Sequence, residues 1–214
     1  PEAEQYFKKF VEISEARLRQ KTRDFSLASD LGTVKDFYKQ QNKIGEAEAM
    51  YKRFLAIVQE VIKDNEFEHG YFIRMLAGFY ADQKRFAEAE ALYLRDLTIQ
   101  EKALIAGNKQ ADLRSSPDSL ERIYSDERRP SETEALYRRV IATVEQVHGP
   151  DSREVLLTLS KLGAFLSGRG EQRDADHEAV LKRIVAIVEK KDGPESDEMI
   201  RRLTQLAQFY MDAS

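Results

Sequence analysis

Glu46-Ala47-Glu48-Ala49-Met50-Tyr51-Lys52-Arg53 is one of several closely similar stretches in this chain of 214 residues. It returns as Glu88-Ala89-Glu90-Ala91-Leu92-Tyr93-Leu94-Arg95 and as Glu132-Thr133-Glu134-Ala135-Leu136-Tyr137-Arg138-Arg139, and a looser copy is Glu178-Ala179-Val180-Leu181-Lys182-Arg183. Positions 51, 93, 137 and 181 correspond, so successive copies lie 42, 44 and 44 residues apart. Self-similarity at a period of about 20–50 residues indicates a repeat protein, in which each unit buries its apolar face by stacking on its neighbours.

Two kinds of helix alternate between these copies. A first-type helix ends in an aromatic pair, most clearly in Leu76-Ala77-Gly78-Phe79-Tyr80 and Leu206-Ala207-Gln208-Phe209-Tyr210. A second-type helix carries the Glu-Ala-Glu-x-x-Tyr stretch followed by apolar residues at helical spacing, such as Phe54 and Val58. Short polar turns join the two, which makes neighbouring helices antiparallel. The pattern predicts ten helices, at roughly 2–20, 27–41, 45–63, 68–83, 86–105, 117–127, 131–148, 151–168, 172–191 and 196–211.

The helix ends carry their own signals. Gly149-Pro150-Asp151-Ser152 and Gly193-Pro194-Glu195-Ser196 predict that glycine ends one helix and that proline and a polar cap open the next. Ser131 with Glu134, after Pro130, predicts a capping box. Ser116 followed by Pro117 predicts an N-cap and the first helical residue.

The register extends to the N-terminus. Residues 1–7 align with residues 87–93, so the chain begins on a second-type helix and ends on a first-type helix. We therefore expect a single domain over 1–214. It comprises a half repeat at 1–20, repeats at about 27–63, 68–105, 112–148 and 151–191, and a terminal helix at 196–211.

Two expectations concern packing. Alanine recurs at Ala47 and Ala89, which predicts that helices approach closely at these positions. The third repeat, about 112–148, should be the weakest unit, because its first helix is short and lies between Pro117 and Pro130.

The residues resemble the tetratricopeptide (TPR) repeats, and in particular the long-repeat form of kinesin light chains and many bacterial proteins. Residues 76–97 and Gly149-Pro150-Asp151 match that pattern best. The resemblance implies an all-α fold, a right-handed α-α superhelix (TPR solenoid) of antiparallel helix pairs, and a protein-binding role. The paired asparagines with which kinesin light chains bind cargo are absent from the matching positions, among them Arg74-Met75 and Ser160-Lys161.

The resemblance also implies where a ligand would bind. In such folds first-type helices line the concave groove, and positions flanking the packed leucine and aromatic residues point into it. The mixture of cations and carboxylates at these positions favours a peptide of mixed or acidic character. The groove residues expected on this basis are Thr33, Asp36, Lys39, Arg74, Asp118, Arg122, Lys161, Arg201, Gln205 and Gln208.

Composition excludes several other classes of function. The chain is 42% hydrophobic and 34% charged with a net charge of −4, which is typical of a soluble helical protein and leaves no basic stripe for nucleic acid. No run of 18 apolar residues is present, so we expect no membrane span and a cytoplasmic location. Cysteine is absent, the three histidines lie far apart, and no phosphate-binding motif occurs. We therefore expect no metal, no cofactor, no small-molecule substrate and no enzymatic activity.

Two functions remain open. The first is a protein–protein interaction scaffold that binds a peptide or partner segment in the concave groove. The alternative is a regulatory or structural segment that positions a catalytic or sensor domain of a larger protein. A signalling or protease domain encoded beside these repeats would favour the alternative.

Overall fold

The computed structural model describes residues 2–20, 37–38, 40–41, 43–61, 66–168 and 174–212, and all regular structure in these ranges is helical. The all-α fold is thus confirmed. The predicted helix at 27–41 lies largely outside the described residues. The bounds of the other nine predicted helices are confirmed to within two residues. These helices are α1 (Glu2–Arg19), α2 (Ile44–Val61), α3 (Glu66–Asp82), α4 (Phe86–Ile105), α5 (Ser115–Asp126), α6 (Pro130–His148), α7 (Arg153–Ser167), α8 (Asp174–Asp192) and α9 (Asp197–Asp212).

The chain divides into two compact units, 1–123 and 124–214. In the first unit α1 packs against α2, α2 against α3, and α3 against α4. In the second unit α6 packs against α7, α7 against α8, and α8 against α9. First-type helices (α3, α5, α7 and α9) alternate with second-type helices (α2, α4, α6 and α8). Packing between neighbours along the chain is the arrangement expected of repeats.

The core of each unit consists of the residues that recur at repeat spacing. In the first unit Ala47, Ala77 and Ala89 are buried, and the rings of Tyr51 and Phe79 lie 5.2 Å apart. In the second unit the largest fully buried side chains are Leu162, Val155, Ile184, Ile187 and Val188. Ala47 and Ala89, where a close approach of helices was predicted, are therefore buried.

The turn that joins a first-type helix to the next second-type helix is itself repeated. The backbone N–H of Arg85 donates to the carbonyl oxygen of Tyr80 at 3.0 Å, and its guanidinium carbon lies 4.2 Å from the centroid of the Tyr80 ring. Arg129 and Tyr124 make the same two contacts, at 2.7 Å and 4.7 Å. Each arginine thus closes the turn through its backbone and covers the tyrosine with its side chain.

A carboxylate links each of two second-type helices to the first-type helix that follows. Tyr80 donates from its hydroxyl to Glu48 Oε1 at 3.1 Å, Lys52 Nζ lies 2.7 Å from the same oxygen, and Arg85 also pairs with Glu48. These contacts, the Arg85 hydrogen bond first, lower the pKa of Glu48 from 4.5 to about 2. In the second unit the Tyr210 hydroxyl donates to Glu178 at 2.6 Å.

Two of the predicted helix junctions are confirmed. Gly149 and Gly193 both have φ of 85°, in the left-handed region that glycine adopts without steric penalty. Ser152 Oγ then accepts a hydrogen bond from the Val155 N–H at 3.3 Å, and Ser196 Oγ accepts one from the Met199 N–H at 3.1 Å. Each serine therefore caps the helix that follows its glycine.

Two other predicted caps are wrong. Helix α6 begins at Pro130 itself, its N-cap is Arg129 with no side-chain cap hydrogen bond, and Ser131 lies inside the first turn. Helix α5 begins at Ser115, and Ser116 donates its hydroxyl hydrogen to Asp96 at 2.6 Å instead of accepting from the backbone. The hydrogen bond that the Ser116 hydroxyl donates to the buried Asp96 carboxylate is stronger than one that it would accept from a backbone N–H.

Candidate binding surface

A buried polar cluster, formed by Arg74, Asp96, Gln100, Asp112 and Ser116, connects three elements of the first unit. The Asp96 carboxylate is 0% exposed, and Arg74 Nη1 donates to its two oxygens at 2.9 Å and 3.0 Å. Gln100 and Ser116 donate to it at 3.2 Å and 2.6 Å. The Asp112 N–H donates to Gln100 Oε1 at 3.0 Å. A buried charge is stabilised when it is both paired and hydrogen-bonded in this way.

The cluster determines how closely α3 and α4 approach. A Cβ atom on Gly70 of α3 would lie 2.4 Å from Asp96 Oδ1 and 2.8 Å from Gln100 Nε2. Only glycine leaves room for these two side chains of α4 at this point.

Arg74, expected in the binding groove, therefore has an internal partner. Its guanidinium pairs with the fully buried Asp96, and most of its side chain is covered. Met75, the next residue, is half-exposed on a different face of α3. The sequence pattern identified positions 74 and 75 but did not show that their side chains lie on different faces of α3. Met75, and not Arg74, therefore lies on the exposed side of α3.

One face of the first-type helices stays uncovered at every described repeat, and we call it the open face. Its positions follow the spacing i, i+4, i+7, which places them on one side of a helix. They are half-exposed in α3 and exposed in α7 and α9. In α5 two of the three positions are exposed and one is half-exposed. The open face consists of Tyr71, Met75 and Gly78; Ser115, Ser119 and Arg122; Leu157, Lys161 and Ala164; and Arg201, Gln205 and Gln208.

The remaining expected groove residues fall into three groups. Thr33, Asp36 and Lys39 lie outside the described residues. Asp118 is half-buried and lies off the open face. Arg122, Lys161, Arg201, Gln205 and Gln208 are exposed on the open face.

On α9 the polar side chains of the open face have neighbours along the same helix. Arg201 donates to Glu198 at 2.9 Å, and Gln208 donates to Asp212 at 2.6 Å. Gln205 accepts from Arg202 at 3.0 Å. These exposed contacts within one helix contribute little to stability and can exchange for contacts to a ligand.

Leu157 was missed as a surface residue. Its side chain is 55% exposed, one turn before Lys161 on the open face of α7. The repeat register could have predicted its exposure, because Leu157 lies 44 residues before Arg201, which was expected in the groove. The open face of α7 therefore combines an exposed apolar side chain with a cation.

No group of three or more His, Asp or Glu side chains among the described residues could hold a metal ion. In the part of the chain that the structure describes, no helix is both long and apolar enough to cross a membrane.

Comparison with known proteins agrees with this architecture. Residues 73–104 and 122–154 match the family model of the tetratricopeptide repeat. These two segments are tetratricopeptide repeats. Such repeats are in general protein–protein interaction modules, and their fold is typically a non-catalytic scaffold. No curated protein matches the chain.

Solved structures of tetratricopeptide type share the fold over most of the chain. One is BtubC (BKLC) from P. vanneervenii, with a TM-score of 0.56 and 18% identity over 98% of this chain and 82% of that one. Another is a protein of nearly identical TPR-like repeats from Podosopora anserina, named for the kinesin light chains. It gives a TM-score of 0.55 and 20% identity over 87% of this chain and 86% of that one. At these identities the likeness concerns the fold alone.

Proposed function

We propose that this tetratricopeptide-repeat chain is a non-catalytic protein–protein interaction scaffold that binds an extended peptide or partner segment on the open face. The observation that carries the proposal is that the same i, i+4, i+7 positions are half-exposed or exposed in α3, α5, α7 and α9, while the adjacent leucines, such as Leu76 and Leu162, are buried. Within each unit, a surface that recurs in register can contact an extended ligand on successive repeats.

The side chains of the open face specify the chemistry of the ligand. Arg122, Lys161 and Arg201 supply cations, and none of the twelve positions holds a carboxylate. Leu157 adds an exposed apolar side chain beside Lys161. We therefore propose a peptide that combines carboxylates with at least one large apolar residue, since each of these groups has a counterpart on this face.

The first unit contributes a more apolar part of the open face. Tyr71 and Met75 are both half-exposed on α3, and Gly78 leaves the backbone accessible one turn later. Aromatic and methionine side chains are enriched at interfaces because they supply contact area and adapt to different partners. A ligand that binds this part would contribute apolar side chains.

Peptide display tests the proposal without knowledge of the natural partner. A random peptide library is selected on the whole chain, and the dissociation constants of the enriched peptides are measured by fluorescence anisotropy. We expect enrichment of acidic and apolar residues. The double variant Lys161→Glu, Arg201→Glu should bind these peptides at least about tenfold more weakly, because two favourable charge contacts become repulsive.

The matched control is the double variant Arg95→Glu, Lys191→Glu. It changes net charge by the same amount on exposed positions of the second-type helices α4 and α8. It should bind the selected peptides as the unmodified chain does. The proposal fails if the open-face variant retains full affinity, or if only the control variant loses it.

A further inference from the structure

The hydroxyl of Tyr93 in α4 makes no hydrogen bond to any described residue, although the side chain is only 6% exposed. A Cβ atom on Gly78 of α3 would lie 3.5 Å from this hydroxyl oxygen, so the hydroxyl lies beside the open face. The oxygen is not among the fully enclosed polar side-chain atoms of the described residues that lack a partner. It therefore reaches solvent beside Gly78.

Glycine at residue 78 is particular to this repeat. Tyr51, Tyr93 and Tyr137 occupy the same position of successive repeats. The residues at the corresponding position of the first-type helices that precede them are Asp36, Gly78 and Arg122. Only the helix before Tyr93 has a residue without a side chain at this position, and a glycine permits close approach of a ligand to the backbone.

The surroundings of Gly78 on α3 are apolar and negative. Tyr71 and Met75 precede it on the open face and are half-exposed. Asp82 continues the same spacing one turn later and is exposed. The one arginine of α3, Arg74, is paired with the buried Asp96. Helix α3, which is described throughout, therefore presents no cation on this side.

We propose that the Tyr93 hydroxyl donates a hydrogen bond to a main-chain carbonyl oxygen of a peptide that lies across Gly78. This inference rests on the proposed function, because it assigns a subsite of the open face. A neutral acceptor fits the site, since Asp82 would repel a ligand carboxylate and α3 supplies no cation to compensate. The ligand side chains on either side of this carbonyl contact Tyr71 and Met75.

The buried ring makes Tyr93 an effective donor. Its position is already determined by packing within the first unit, so little conformational entropy is lost when a ligand binds. Every residue of a peptide has a main-chain carbonyl, so the hydrogen bond fixes the position of the ligand without selecting its sequence. Selectivity at this subsite then comes from the side chains that contact Tyr71 and Met75.

The test uses display-selected peptides whose affinity falls in Met75→Glu, because these bind the first unit. With them, Tyr93→Phe should raise the dissociation constant about three- to tenfold, which is the contribution of one hydrogen bond. Its urea midpoint should not change, because the hydroxyl has no partner among the described residues. Gly78→Leu covers the hydroxyl without removing it and should weaken binding at least about tenfold. The control Tyr137→Phe removes the same atom in the second unit and should bind normally.

Replacement of single amides of a selected peptide by esters identifies the acceptor, because an ester carbonyl accepts a hydrogen bond more weakly than an amide carbonyl. At one position the ester should weaken binding to the unmodified chain, and this loss should disappear in Tyr93→Phe. Circular dichroism establishes that each variant is folded.

Three results would overturn the proposal: full affinity of Tyr93→Phe, coupling of Tyr93 to a ligand carboxylate in place of a main-chain carbonyl, or a selection in which no peptide is sensitive to Met75→Glu. None of these decides the proposed function, which charge reversal at Lys161 and Arg201 tests in the second unit.

Discussion

Gly70 has no Cβ atom, and this allows α3 to approach the Asp96 and Gln100 side chains of α4. We expect Gly70→Ala to destabilise the chain by about 1–3 kcal/mol, because the new Cβ would lie 2.4 Å from Asp96 Oδ1, and three other side chains hold the Asp96 carboxylate in place. Urea denaturation followed by circular dichroism measures the change.

Gly163→Ala in α7 is the matched control. A Cβ there would lie 3.5 Å from Val180 Cγ1, which is an ordinary contact. Because alanine is the better helix former, this variant should be neutral or stabilising by up to about 1 kcal/mol. Equal effects at residues 70 and 163 would contradict the role assigned to the polar cluster.

Arg74 and Arg122 should respond differently to charge reversal. Arg74→Glu places a second carboxylate beside the fully buried Asp96 and should cost about 3–5 kcal/mol of unfolding free energy. Arg122→Glu, at an exposed position, should stay within about 0.5 kcal/mol of the unmodified chain. Thermal and urea denaturation of both variants provide the measurement, and a stable Arg74→Glu variant would refute the structural role of the ion pair.

Arg74 and Arg122 show which features of single residues can be predicted from the sequence. The repeat register identified the residues that flank the packed leucines. Whether a flanking side chain faces a neighbouring helix or solvent depends on a partner distant in the sequence, and Asp96 is 22 residues from Arg74. Exposed Leu157 was overlooked for the related reason that leucine at helical spacing is usually buried.

At the scale of helices, periodicity was sufficient to predict the ends of nine elements to within two residues. Junctions with local causes, Gly149 to Ser152 and Gly193 to Ser196, were also predicted correctly. The caps at Ser116 and Ser131 were not, because the first hydroxyl bonds to a carboxylate 20 residues away and the second follows a proline that already occupies the first turn.

The link between α2 and α3 should depend on pH. Hydrogen bonds from Arg85, Lys52 and Tyr80 hold the pKa of Glu48 at about 2, below its usual 4.5. A lowered pKa means that the carboxylate stabilises the fold above pH 4.5, and that this contribution is lost as pH falls towards about 2. Glu48→Gln should therefore be less stable than the unmodified chain near neutrality, and the difference should shrink on acidification.

Urea denaturation of the Glu48→Gln variant at a series of pH values gives the test. Arg85→Gln provides a second measurement, because it removes the largest cause of the pKa shift and should reduce the pH dependence without removing the carboxylate. A Glu48→Gln difference that stays constant between pH 7 and about pH 2 would exclude this contribution.

Helix α5 should be the first of the internal helices to open. It has 12 residues, the fewest of any helix in the described ranges, and the division between the two units falls after Ile123 within it. Ser116 anchors its first turn to Asp96. Hydrogen exchange should be faster across 112–130 than across 68–105, and equal protection would argue against a weak third repeat.

At the scale of the whole molecule, damage should remain local. Within each unit the helices pack against their neighbours, so a cavity in one helix removes contacts mainly from the helices beside it. Leu97→Ala, at a fully buried position in α4, should cost about 2–5 kcal/mol. Hydrogen exchange should accelerate in α3 and α4 and remain unchanged in α8 and α9. Uniform acceleration would indicate one cooperative body.

The two glycine junctions have a consequence for how such a chain can change its length. Gly149 and Gly193 share one backbone conformation and stand 44 residues apart, and each is followed by a proline and, two residues later, by a capping serine. Excision of residues 150–193 would join Gly149 to Pro194 and regenerate an intact Gly-Pro-Glu-Ser junction. Duplication of the same segment would do so equally. At these junctions a whole repeat could therefore be deleted or duplicated without changing the spacing of the repeats on either side.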